Sequence, residues 1–140
     1  MKITALNVLY SEDIIQQRVR EIAGEINAAY ANEPLVMICV LKGAFMFFSD
    51  LVKHVTVAPE IDFVRVASYG GASSSSGTIS FTKDVEISLT GKHVLLVEDV
   101  VDSGFTMDFL IRQMCARGAK SLRVAALVDK KERRKVDVTV

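Results

Sequence analysis

The stretch Val94-Leu95-Leu96-Val97-Glu98-Asp99-Val100-Val101-Asp102-Ser103-Gly104-Phe105-Thr106 carries the fold and points to the chemistry. Its four leading apolar residues predict a buried parallel strand, because the run is too short and too β-branched for a helix. Glu98 and Asp99 follow at the carboxyl end of that strand, where open α/β sheets place their ligand crevice. Asp102 to Thr106 then turns into a helical pattern, Met107 to Arg117, with Gly118 as its C-cap. A small, hydroxyl-bearing turn that opens a helix offers free backbone N–H groups to an anion such as phosphate. Carboxylates beside an anion cradle suit a ligand with both diol hydroxyls and a phosphate, as in a ribose 5-phosphate. Taken alone, Glu98-Asp99 fits a solvated βα loop equally well, since acids are normally exposed.

Working outward, Ser11 is a fitting N-cap for a helix whose apolar stripe runs Ile15, Val19, Ile22, Ile26 and Ala29. Leu35 to Leu41 is a continuous apolar strand, and Gly43 opens a second helical stretch through Val52. Ile61 to Ala67 alternates as a strand, with Thr78 to Lys83 as its hairpin partner. Leu122 to Leu127 completes a βαβ unit with Val94 to Val97 and the helix between them. Alternating strands and helices predict an α/β fold, a central parallel sheet flanked by helices. Gly70 to Gly77, Gly-Gly-Ala-Ser-Ser-Ser-Ser-Gly, has the composition of flexible coil and predicts a mobile hairpin loop.

The bulk properties narrow the function classes. A chain of 140 residues, half of them hydrophobic, is one domain that buries about two-thirds of its unfolded surface. Seventeen Lys and Arg balance seventeen Asp and Glu, so no global field draws the protein to nucleic acid or an anionic membrane. No apolar run is long enough to span a bilayer and Met1-Lys2-Ile3 opens no signal-peptide core, so a cytoplasmic setting is expected. Cys39 and Cys115 read as buried, inert thiols, and with His54 and His93 they make no convincing zinc site. A Ser-His-Asp hydrolase lacks its nucleophile-elbow motif.

The thirteen-residue string resembles the phosphoribosyl-diphosphate signature of the type I phosphoribosyltransferases. Leu41-Lys42-Gly43-Ala44-Phe45, Ser68-Tyr69-Gly70 and Leu127-Val128-Asp129-Lys130 through Arg134 resemble the hypoxanthine-guanine branch, in its bacterial form, over about Leu9 to Thr139. The resemblance implies transfer of a phosphoribosyl group from 5-phosphoribosyl 1-diphosphate to a 6-oxopurine base, with Mg2+ as cofactor and diphosphate as leaving group. Through it, Asp102 becomes the general base on the purine's imidazole ring, and Glu98 and Asp99 become the ribose-hydroxyl contacts, with an indirect link to magnesium. Ser103, Gly104, Phe105 and Thr106 become the 5-phosphate cradle. Leu41-Lys42-Gly43 is implied to carry a cis peptide beside the diphosphate, and Ser68 and Tyr69 to belong to a lid over the reacting centre. Lys130 is implied to bond the purine's exocyclic oxygen, and Arg134 to lie near the site.

Three further expectations complete the sequence reading. Phe45, Met46, Phe47 and Phe48 exceed what one helix face buries, which fits a subunit interface in a homodimer or homotetramer as well as it fits core packing. Lys131, Arg133, Arg134 and Lys135 read as a solvated basic loop. Val136, Val138 and Val140 alternate as a strand, and residues 1–140 are expected to form one phosphoribosyltransferase core domain without the family's C-terminal part. Two other classes compete. A ligand-sensing regulator would want a DNA-binding module or a basic face, and a non-catalytic core would bind the phosphoribosyl ligand alone.

Overall fold

Strand β1 (Leu35–Val40) shows why an unbroken apolar run is needed, since all six of its residues are buried. In the computed structural model, which describes residues 6–69 and 78–140, β1 lies at the centre of a five-stranded sheet. The other strands are β2 (Glu60–Tyr69), β3 (Thr78–Lys83), β4 (His93–Val101) and β5 (Ser121–Asp129), in the order β3-β2-β1-β4-β5. β1 pairs in parallel with β2 and β4, and β4 with β5, whereas β3 returns antiparallel to β2 with an irregularity between Arg65 and Val66. The sheet is thus parallel but for one edge hairpin.

Alternate β1 residues feed two cores. Leu35, Met37 and Cys39 pack with helices α1 (Glu12–Ala29) and α2 (Phe45–Val52). Val36, Ile38 and Val40 face the other way, toward Met107, Leu110 and Met114 of α3 (Phe105–Ala116). Each such buried side chain contributes about 1.5–3 kcal/mol of transfer free energy, so truncation of Leu110 would be felt throughout that layer.

Ser11 caps α1 as expected, its hydroxyl accepting from the Ile14 N–H at 3.3 Å, and Glu12 and Asp13 favour the positive helix end. The buried stripe of α1 is Val19, Ala23 and Ile26 with Ile22 beside it; Ile15 stays more than a third exposed, and Ala29 is exposed too. Phe47 and Phe48 of α2 are buried while Phe45 and Met46 stand more than half exposed. Gly118 follows α3 at φ 84°, the left-handed conformation that suits glycine.

Three expectations need correction. β4 does not stop at Val97 but runs through Glu98 and Asp99 to Val101, because β5 continues to offer backbone partners as far as Asp129. Val136, Val138 and Val140 form no strand; the backbone N–H groups of Lys135 and Val136 turn instead to the Ser103 carbonyl, at 2.8 and 3.3 Å. Cys115 is exposed on α3, since the buried face of that helix is taken by Met107, Leu110 and Met114. Cys39 is buried as expected, and burial, with the nearby Glu98 charge, pushes its thiol up to about 11. The Gly70–Gly77 segment lies outside the described residues.

Candidate active site

The order of the strands creates a crevice. The chain leaves β1 toward β2 on one side, and later places β4 on the other, so the connections part at the carboxyl ends of β1 and β4. Two motifs remote in sequence meet there. Leu41-Lys42-Gly43 follows β1 with a cis Leu41–Lys42 peptide, and Glu98 ends the unbroken buried run of β4 with Asp99 next to it. A Cβ on Gly43 would run into the Asp99 carboxylate, with Cγ at only 2.8 Å, so glycine alone permits this close approach.

Glu98 is 9 % exposed, and its carboxylate accepts the Asp99 N–H at 2.9 Å. Burial first, then the adjoining Asp99, pushes the Glu98 carboxyl up to about 8. Burial thus favours the protonated form, which can donate as well as accept. No cation partners it among the described residues.

One turn further on, Glu98, Val100, Val101, Asp102, Ser103, Gly104, Thr106 and Met107 line a cavity of 120 Å³, below the usual range for a whole drug-sized ligand. Helix α3 opens on this cavity, with Gly104 as its N-cap at φ 93°. The N–H groups of a first helical turn lack intrahelical partners, and the helix dipole favours an anion there. The cavity suits a phosphate group. Phe105 is half-buried.

β4–β5 pairing, Val101 opposite Asp129, brings the third motif alongside. The Lys130 N–H donates to the Val101 carbonyl at 2.9 Å, and the lysine side chain is exposed. A 3-10 turn, Lys131–Arg133, follows. Arg133, expected as part of a solvated loop, reaches the Asp102 carboxylate at 3.4 Å, though both partners keep much solvent. Arg134 is buried by comparison: its guanidinium donates to the Asp129 carboxylate and the Val138 carbonyl, and its Nε donates to the Asp102 carbonyl at 3.2 Å. Asp129 was visible in sequence only as the residue before Lys130. An acid at a strand end followed by an arginine five residues on was the available signal.

Ser68 and Tyr69 lie exposed at the end of β2, opposite Ile79 and Thr78. Among the described hydrogen bonds none joins them to Asp102 or to the acid pair. The structure thus gathers Leu41, Lys42, Gly43, Glu98, Asp99, Asp102 to Thr106, Lys130 and Arg134 along one end of the sheet, and leaves Ser68 and Tyr69 on its hairpin.

A parallel sheet whose switch point carries paired carboxylates, a glycine approach and an anion cradle defines a phosphoribosyltransferase. The family description "Phosphoribosyl transferase domain" matches residues 7–140. The hypoxanthine-guanine phosphoribosyltransferase of Bacillus subtilis is 40% identical over 138 residues, 99% of this chain and 77% of that protein. The hypoxanthine-guanine-xanthine phosphoribosyltransferase of Tritrichomonas foetus is 43% identical over 123 residues, 88% of this chain and 67% of that one. A crystal structure of a Bacillus anthracis hypoxanthine-guanine phosphoribosyltransferase superimposes with a TM-score of 0.92 at 40% identity, covering 98% of this chain and 81% of that one. The chain belongs to the hypoxanthine-guanine phosphoribosyltransferase family.

Proposed function

We propose that this protein transfers the phosphoribosyl group of 5-phosphoribosyl 1-diphosphate to hypoxanthine or guanine, giving IMP or GMP and diphosphate, in purine salvage. The observation that carries this reading is the junction of Asp102 with a phosphate-sized cavity and the adjacent acids Glu98 and Asp99, the first of them buried, at one switch point. In the reaction the bond from the anomeric carbon to diphosphate breaks, a bond to the purine nitrogen forms, and the purine gives up a proton. Asp102 is half-exposed at the cavity rim, where its carboxylate can accept that proton. Ser103, Gly104, Phe105 and Thr106 hold the 5-phosphate through backbone N–H groups and two hydroxyls. Glu98 and Asp99 orient the ribose hydroxyls, and Glu98, whose carboxyl burial pushes up, can do so as donor or acceptor. Leu41, Lys42 and Gly43 face the departing diphosphate from the carboxyl end of the neighbouring strand β1. Lys130 offers a cation to the exocyclic oxygen of a 6-oxopurine, which disfavours adenine, whose amine needs an acceptor. Ser68 and Tyr69 belong to the hairpin that screens the centre from water.

Magnesium fits the donor set in one manner only. Among the described residues no three acids, cysteines or histidines cluster to cage a metal, whereas Glu98 and Asp99 stand side by side at the crevice. Mg2+ is commonly held by one or two carboxylates together with substrate phosphates, which matches that pair. When bound it would neutralise the departing diphosphate. The exposed Phe45 and Met46 support a homodimer or homotetramer. A cytoplasmic setting accords with a polyanionic donor, which does not cross a bilayer unaided, and no described helix is long and apolar enough to cross a membrane.

The test is an assay of the protein with the phosphoribosyl donor, Mg2+ and each of hypoxanthine, guanine, xanthine and adenine. Nucleotide formation with the 6-oxopurines and not with adenine is expected. Donor binding without any nucleotide formation would overturn the enzymatic reading in favour of a ligand-binding core.

A further inference from the structure

The Arg134 side chain is 14% exposed and each of its three guanidinium nitrogens donates to an acceptor of its own chain. Its three acceptors lie on three separate segments: the Asp129 carboxylate ending β5, the Val138 carbonyl, and the Asp102 carbonyl at the start of the cradle. The planar five-donor fork of arginine can meet such a set, and the single ammonium of lysine cannot do so with the same geometry. The stem fits as closely as the head. A Cβ on Gly104 would come within 2.9 Å of Arg134 Cδ and 3.3 Å of the Val136 carbonyl oxygen, so the bare Gly104 backbone is what lets this segment lie against the cradle.

These bonds have a directional consequence. Leu41–Lys42 is the only cis peptide among the described residues, so the Asp102–Ser103 and Ser103–Gly104 peptides are trans. In a planar trans peptide the N–H points opposite to the C=O. The Asp102 carbonyl faces Arg134, which turns the Ser103 N–H away from that segment. The Ser103 carbonyl accepts from Lys135 and Val136, which does the same for the Gly104 N–H. Both residues line the cavity.

We propose that Arg134 is a positioning residue of the 5-phosphate cradle: anchored on Asp129, it holds the Asp102 carbonyl outward and so aims the Ser103 N–H at the phosphate. It acts from behind the cradle rather than on the ligand. Because Asp129 directly precedes Lys130, the same bond ties the cradle to the end of the strand that presents the purine-side lysine. This inference rests on reading the cavity as a phosphate site.

The experiment compares the affinities of inosine monophosphate and inosine, which differ only in the 5-phosphate, for wild type, Arg134→Lys and Asp129→Asn. Calorimetry serves the nucleotide and NMR titration the weaker nucleoside. Wild type is expected to favour the nucleotide. Arg134→Lys should shrink that preference about tenfold, the worth of one hydrogen bond to a charged group, with inosine affinity unchanged. Asp129→Asn should shrink it about threefold, because a neutral acceptor anchors the guanidinium less firmly. An unchanged preference in Arg134→Lys, or equal loss for both ligands, overturns the positioning role. Should Arg134→Lys fail to fold, an unchanged preference in Asp129→Asn overturns it instead. A wild type that binds both ligands alike overturns the phosphate-cradle reading itself.

Discussion

Asp62 and Glu98 are both buried carboxylates of the same sheet, 4 % and 9 % exposed, on the strands either side of β1: Asp62 lies level with Ile38 and Leu96, and Glu98 two residues further along β4. Asp62, near the start of β2, accepts the N–H groups of Phe63, Glu86 and Ile87 at 2.7, 2.7 and 3.1 Å, with Lys83 Nζ 3.7 Å away. Burial alone would push its carboxyl up, but those three N–H groups and the lysine charge outweigh it, and the net shift is down. Glu98 has one N–H and an acidic neighbour, and is pushed up to about 8. β2 has its acid satisfied by the N–H groups around it, and uses it to pin the segment after β3. β4 leaves its acid short of partners. A buried group with unspent hydrogen-bonding capacity is costly to the fold unless a ligand completes it, and it marks the strand that carries the site.

The largest expected effect falls on chemistry. Asp102→Asn should lower turnover about 10²–10⁴-fold, the usual worth of a general base, while melting temperature and donor affinity stay near wild type. Unchanged turnover would remove Asp102 from the mechanism and blur the contrast between the two strands.

The second way to break the comparison uses pH. Glu98 has a folded pKa above its unfolded value, so the stability linked to it is complete below about pH 4.5 and lost as pH rises through about 8. Glu98→Gln, which keeps the acceptor for the Asp99 N–H, should escape that loss and exceed wild type at pH 9 by on the order of 4 kcal/mol. Parallel urea midpoints for the two proteins from pH 5 to 9 would refute the raised pKa.

Asp62 should show the opposite sign. Its folded pKa is depressed, so its contribution is present above the ordinary carboxylate range and lost as pH falls through the folded value. Asp62→Ala leaves three N–H groups without their acceptor and should cost about 3 kcal/mol at pH 7, read as a lower urea midpoint, with kcat retained in the folded protein. A variant of normal stability would show that the Asp62 bonds are replaced by water.

The smallest effect sharpens the picture on the strand that carries the site. Glu98→Gln together with Asp99→Asn should weaken binding of the phosphoribosyl donor about tenfold, the loss of charge-assisted contacts to the ribose hydroxyls, with the fold intact. Equal affinity by calorimetry would exclude that role for the pair.

Periodicity and turn chemistry were enough to locate the elements. The β1 and β4 apolar runs, the Ser11 cap and the glycine after α3 are local signals, each dictated by residues a few positions apart, and the structure places strands, cap and turn there. The Asp102 to Thr106 turn was legible for the same reason, since a cradle at a helix start is built from consecutive residues. Tertiary structure alone decided which distant segments meet. Strand order set Gly43 against Asp99, and β4–β5 pairing carried Arg134 behind Asp102, turning an apparently solvated basic run into a brace. The length of β4 and the fate of Val136 to Val140 were settled by which backbone partners stood alongside, a matter of hydrogen-bond supply that no alternation of side chains reports. The difference between Asp62 and Glu98 belongs to the same class. In sequence they are two acids in apolar strands, and only the count of N–H groups facing each one makes the first a fastening and the second a site.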